Sequence, residues 1–290
     1  MMSRSAPLQL SVDSPVIGRF YPRGCQQQQL PNGDFYVQFQ GYGYAFTNVS
    51  KKISFTMSGS VQYAQDFQVS EDCDIYAYFK PAQVSSSDFK IKQIEQPITS
   101  FLNSLSPMGE NFGKQIVGGK ISEGFTVIRD KNGSDEFSLG ILDLGKKPFH
   151  PYDVHGSGRV TVENLRTEVH ENQRDYVGPI EITDAGRALY LTGSVDGVQG
   201  IDLLLLRRQE GDAALQLYVD YAQAGPLPAP PVLSLPLTAG NFQKTIPLPP
   251  GQYYVVFDNT ASAGTVNPPG NPLDDRAAVI NYVAQIGDAP

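Results

Sequence analysis

His150, Asp153, His155 and His170 come closest to a reactive set in this sequence, and they include all three of its histidines. Two imidazoles and a carboxylate at His150-x-x-Asp153-x-His155, with His170 as a further nitrogen donor, are ligand types that hold Zn²⁺. The spacing matches no established zinc pattern, however, and residues 146–158 (KKPFHPYDVHGSG) read as a Pro/Gly-rich connection. Structural hydrogen bonding is therefore the expected role, with no resident metal or other cofactor. Glu163, Glu168, Glu171, Asp175 and the pair Asp274-Asp275 are candidate acid/base carboxylates. Glycosidic chemistry needs a defined carboxyl separation that sequence does not show, and the chain has no Trp to stack on a sugar ring, although Tyr can substitute.

Other reactive patterns fail on spacing. No Gly-x-Ser-x-Gly elbow occurs, and Gly193-Ser194-Val195-Asp196-Gly197 has the wrong interval and reads as a hairpin turn. Residues 113–120 miss a phosphate loop because Lys120 falls one place late, with no Ser or Thr directly after it. Residues 130–136 offer oxygens at alternating positions, as a Ca²⁺ loop does, but the glycine is misplaced and no Glu closes the loop. Cys25 and Cys73 have no neighbouring His, so a catalytic thiol is not expected. A disulfide between them is expected, closing a loop of about fifty residues and adding about 3–4 kcal/mol in an oxidising compartment. Two buried free thiols are the alternative.

A net charge of −8, with Lys51-Lys52, Lys146-Lys147 and Arg207-Arg208 as the longest basic runs, argues against a nucleic-acid partner. No eighteen-residue apolar run is present, so no membrane-spanning helix is expected. Residues 1–10 lack the apolar core of a secretory signal and read as a cytosolic start or as the stub of a removed signal. The rest of the chain favours the second, an exported location that is periplasmic or extracellular.

The elements that would position these residues are mainly strands. Phe35, Val37 and Phe39 alternate with Tyr36, Gln38 and Gln40, and residues 53–57 and 75–79 follow the same period. Residues 41–44 (Gly-Tyr-Gly-Tyr) read as a turn or bulge. Ile98, Phe101, Leu102 and Leu105, then Phe112, Ile116, Val117 and Ile121, fit helices broken near Pro107. Asn132-Gly133 fits a type I′ hairpin. The expected organisation is an α+β domain with an antiparallel sheet over 1–148, a linker over 149–158, and an antiparallel β-sandwich over 159–290. Sandwich strands are expected at 160–162, 175–182, 188–195, 202–207, 215–221, 242–248, 253–257 and 278–286. Leu203, Leu205, Leu217, Val219, Tyr253, Val255 and Phe257 then form the core, and Val256 faces outward.

Gly251-Gln-Tyr-Tyr-Val-Val-Phe-Asp-Asn-Thr260 resembles the closing strand of GOLD-like sandwiches and, more loosely, pre-peptidase C-terminal domains. The resemblance covers about ten of the 290 residues and implies a binding or interaction sandwich. The whole chain is loosely similar to bacterial envelope lipoproteins, without a lipobox at Cys25. Together these features point to a non-enzymatic exported envelope protein that binds a protein or surface ligand. A lipid or other apolar-ligand carrier built on the 1–148 region is one alternative, and a metal-dependent hydrolase is another.

Overall fold

The computed structural model describes residues 5–10, 14–47, 51–96, 124–133, 135–147, 159–268 and 276–290. The fold is mainly β, and thirteen strands among the described residues join in one hydrogen-bonded sheet. In chain order they are β1 (Ala6–Gln9), β2 (Val16–Gln29), β3 (Phe35–Thr47), β4 (Lys51–Val69), β5 (Ile75–Ile94), β6 (Phe125–Arg129), β7 (Asp135–Leu139), β8 (Val160–Val169), β9 (Gln173–Ile182), β10 (Arg187–Arg207), β11 (Leu233–Leu248), β12 (Gly251–Asn259) and β13 (Ala278–Asp288). One helix, α1 (Arg208–Asp220), separates β10 from β11. The helical pattern at 98–121, and with it the pocket of the apolar carrier, lies outside the described residues.

Strands β2 to β7 form an antiparallel meander in sequence order. Its tight turns use a residue at positive φ: Gly33 at 91°, Cys73 at 67° and Gly133 at 85°. At the last, Gly133 N–H donates to Asp130 O at 2.9 Å. Only Gly133 of the Asn-Gly pair has positive φ, so the expected type I′ turn is instead a type I turn closed by a left-handed glycine. The Gly-Tyr-Gly-Tyr step is not a turn; β3 runs straight through it. A Cβ at Gly41 would meet Tyr21 O at 2.2 Å, and one at Gly43 would meet Arg19 O at 2.5 Å, so these glycines admit close packing of neighbouring strands.

The C-terminal half is an antiparallel sandwich organised by β10. Residues 187–196 of this strand lie between β13 and β11, and residues 202–207 lie between β12 and β11. The change comes at an irregularity between Val195 and Gly200, where Gly197 has φ 84°. The expected hairpin turn at 193–197 is thus a bend inside one long strand. Layer one is β8-β13-β10-β11 and layer two is β9-β12-β10-β11, with Leu189, Leu191, Leu203, Leu205, Tyr253, Val255, Phe257, Ile280 and Tyr282 packed between them.

The outer face of layer two is buried as well. Leu204, Leu206, Tyr254, Val256 and Tyr176 pack under Ala214, Leu215, Tyr218 and Val219 of α1 and against Tyr21 and Tyr44 of the meander. Val256 is therefore fully buried rather than outward-facing. Burial on both faces explains why 203–206 and 253–257 read as unbroken apolar runs. The strand expected at 215–221 is the end of α1: Gly211, Ala214, Leu215, Tyr218 and Val219 recur at helical spacing, and Leu217, expected in the core, points to solvent. Side chains of β4 satisfy the open carbonyls at the helix end. Lys52 Nζ donates to Tyr218 O at 2.7 Å and Tyr221 O at 2.8 Å, and Ser54 Oγ donates to Val219 O at 2.6 Å. Burial lowers the Lys52 pKa to about 8.

Candidate ligand-binding face

Of the sequence-derived carboxylates, Asp175 and Glu163 are committed to holding the halves together. Arg19 on β2 is fully buried and forms a two-pronged pair with Asp175 on β9, Nε to Oδ1 at 2.7 Å and Nη2 to Oδ2 at 3.1 Å. Its Nη1 donates to Glu163 on β8 at 2.8 Å, and its Nη2 to Tyr282 Oη at 2.8 Å. Asp175 also accepts from Tyr44 Oη at 2.8 Å and Thr167 Oγ1 at 3.0 Å. With four donors around it, Asp175 is fully engaged in structural hydrogen bonds. Desolvation opposes the charge on Arg19, but Asp175 and Glu163 raise its pKa further above the usual range.

The Phe257-Asp258-Asn259-Thr260 strand exit is a second buried junction. Asn259 Nδ2 donates to Val169 O at 3.1 Å. Arg174 on β9 donates to Gly225 O at 2.8 Å, Thr260 Oγ1 at 3.1 Å and Ser262 Oγ at 2.8 Å, tying two loops to the strand. Its Nε stands 3.2 Å from Asp258 Oδ1, a charge contact without hydrogen-bond alignment, so both Asp258 oxygens are buried with no hydrogen bond. Burial raises the Asp258 pKa to about 6, against the opposing pull of Arg174. Asp202, opposite Asp258 in register, instead accepts from the N–H groups of Thr265 and Val266 at 2.9 and 2.7 Å.

Of the four candidate metal ligands, His170 alone lies among the described residues. His170 is buried at the β8–β9 turn, stacked on Phe46 with ring centroids 3.4 Å apart, and its Nε2 lies 3.8 Å from Glu168. His150, Asp153 and His155, together with Asp274 and Asp275, lie outside the described residues. Among the described residues no group of three His, Cys, Asp or Glu is placed to hold an ion. Cys25 and Cys73 are free and exposed. Cys25 lies opposite Phe39 and, through it, Gly59, whereas Cys73 lies beyond Val69. Ten residues of β4 at about 3.3 Å each put them about 33 Å apart along the sheet, far beyond the ~7 Å reach of a disulfide. The expected bridge is therefore not formed, and the thiols are not buried either.

An open groove of about 820 Å³ lies on the outer face of layer one. Register sets two rows across β8, β13, β10 and β11: Arg166, Asn281, Ser194 and Asn241, then Asn164, Val283, Thr192 and Gln243. Seven of these eight side chains are uncharged, in a chain carrying 22 Lys and Arg and 30 Asp and Glu. Asn281 Nδ2 donates to Ser194 Oγ at 3.3 Å, which joins two strands of the face. Gln9 and Ser14 stand at the rim. A smaller hollow of about 440 Å³ on the meander includes Cys25, Gln38, Phe39 and Asp88. Sequence reading missed the groove. Its signal was present as outward-facing amides in 241–243 and 281–285, yet only strand pairing shows that they share a face.

No protein-family model matches the chain, and no curated protein matches it. Solved structures similar to it include a glycoside hydrolase family 43 arabinoxylan arabinofuranohydrolase from Bacillus subtilis in complex with cellotetraose. The identity is 10% over 93% of this chain and 67% of that one, with a TM-score of 0.24. A GH32 beta-fructofuranosidase from Bombyx mori is 9% identical over 97% of this chain and 68% of that one, with a TM-score of 0.17. Likeness at this level transfers neither a fold nor an activity to this chain.

Proposed function

We propose that this chain is a non-enzymatic binding protein whose ligand seats on the outer face of β8-β13-β10-β11. The observation that carries this reading is an ~820 Å³ groove on a sheet face lined by amides and hydroxyls, a volume within the range of ligand sites. The engagement of Asp175 and Glu163 by Arg19 supports binding over acid/base catalysis. Export was expected partly from a Cys25–Cys73 bridge, and sheet register separates those residues, so binding is proposed without a compartment.

Hydrogen exchange tests this reading in the presence of a library of small uncharged polar molecules. Protection is expected in residues 164–166, 192–194, 241–243 and 281–283, and is expected to disappear in Thr192→Lys, where an exposed side chain lengthens into the groove. Protection at the meander hollow instead, or none anywhere, overturns the proposal.

A further inference from the structure

Resting on the binding proposal above, we infer that the groove takes a neutral polysaccharide chain lying across the strands. The first reason is hydrogen-bonding type. Asn164, Asn241, Gln243 and Asn281 each present a donor and an acceptor, and Thr192 and Ser194 present hydroxyls that do both. Sugar hydroxyls are likewise donor and acceptor at one atom, so vicinal pairs match side-chain amides in two-point contacts.

Charge is the second reason. Arg166 is the only charged side chain in the two rows, and the next row across the same face places Glu168 and Asp196 on either side of Val279. One cation flanked by two carboxylates gives no field to select a polyanion or polycation.

Spacing is the third. Adjacent strands are about 4.8 Å apart, so each row offers one side chain per strand at that interval, polar on every strand of the first row and on all but β13 in the second. This is close to the repeat of a pyranose chain, whereas an extended peptide advances about 3.4 Å per residue and drifts out of step. Val283 is the single apolar side chain in the rows, leaving no series of pockets for peptide side chains. Among the described residues of the two rows no aromatic platform supplements the hydrogen bonds, and the Tyr190 ring one row further on is covered by Arg159, 3.6 Å from its centroid. Recognition therefore rests on many modest contacts, and binding strengthens with chain length.

Affinity electrophoresis of the full chain tests this with hydroxyethylcellulose, mannan, dextran and galactan as neutral polymers, alginate as a polyanion, and an unfolded polypeptide. At least one neutral polymer is expected to retard the protein. The double variant Asn281→Ala with Gln243→Ala should weaken that retardation at least tenfold, while Gln38→Ala on the meander leaves it unchanged. Both variants alter exposed side chains, and circular dichroism confirms their fold. Retardation by alginate or polypeptide alone overturns the polysaccharide assignment. So does the absence of any retardation when small molecules still protect the groove from exchange, an outcome that leaves the binding proposal standing. If neither polymers nor small molecules engage the groove, both fall.

Discussion

At the residue scale, Asp258 has a measurable signature. Its folded pKa of about 6 stands above the ordinary 3.8, so the folded state holds a proton that the unfolded chain has released. Linkage then gives a penalty fully present at pH 7, which is relieved as the pH falls through 6 and is gone below about 4. Asp258→Asn should therefore be more stable than the natural chain at pH 7, with the difference shrinking on acidification to pH 4.5. Thermal melts in which the gap stays constant or widens would contradict this. Cys73 offers a second case, because it occupies the left-handed turn position that Gly33 and Gly133 fill elsewhere in the meander. Removing the Cβ strain should make Cys73→Gly more stable by about 0.5–1 kcal/mol, net of the larger unfolded-state entropy of glycine. A loss of stability in denaturant titration would show that the thiol makes a contact worth more than the strain. Neither effect was legible in sequence. Asp258 was visible only as part of a strand exit, and its burial depends on the loops that Arg174 gathers.

At the element scale, α1 shows how a local pattern can be read two ways. Leu215, Leu217, Val219 and Tyr221 alternate as a strand does, while Gly211, Ala214, Leu215, Tyr218 and Val219 form a helical stripe. The stripe prevails, and through Ala214, Leu215, Tyr218 and Val219 it covers the apolar outer face of β12. Gly211 marks the point of closest approach, where an added Cβ would stand 2.3 Å from the Tyr254 ring. On propensity alone, Gly211→Ala should gain about 1 kcal/mol in a helix. Against Tyr254 it should instead lose about 1–3 kcal/mol to overpacking. Gly225→Ala, whose Cβ meets nothing within 4 Å, is the control. Equal behaviour of the two variants in chemical denaturation would mean that the helix moves freely on the sheet. The alternating strands and the inward set at 203, 205, 253, 255 and 257 were legible from period alone. The second buried face was not, because its cover comes from the helix and from tyrosines more than a hundred residues away.

At the scale of the whole molecule, the two halves share one set of buried contacts. Arg19 on β2 joins Glu163 and Asp175, and the tyrosine layer of Tyr21, Tyr44, Tyr176 and Tyr218 spans the same junction. Arg19→Met should leave buried Asp175 and partly buried Glu163 without their cation and cost about 3–5 kcal/mol. Exchange protection should fall in both β3 and β9; a loss confined to β2 would mean that the halves unfold independently. Sequence composition suggested a boundary at 149–158, which lies outside the described residues, and held no sign of this junction, since pairing between residues 19 and 175 leaves no local trace. The groove was equally hidden, as its rows exist only once β8, β13, β10 and β11 are in register.

The tyrosine layer also gives the molecule an optical property of its own. With no Trp and 15 Tyr, its near-ultraviolet spectrum is that of tyrosine. Burial raises the pKa of Tyr21, Tyr44 and Tyr218 well above the ordinary 10.0, whereas phenols at the surface, such as Tyr221, are open to solvent. An alkaline spectrophotometric titration should therefore run in two waves. The first is reversible phenolate formation at the surface; the second is delayed and coincides with loss of the fold, because only the unfolded chain releases those protons readily. The height of the second wave counts the buried phenols, Tyr63 and Tyr282 among them with those of the junction, and its displacement to lower pH in a junction variant reads out, without any added label, how far the two halves have come apart.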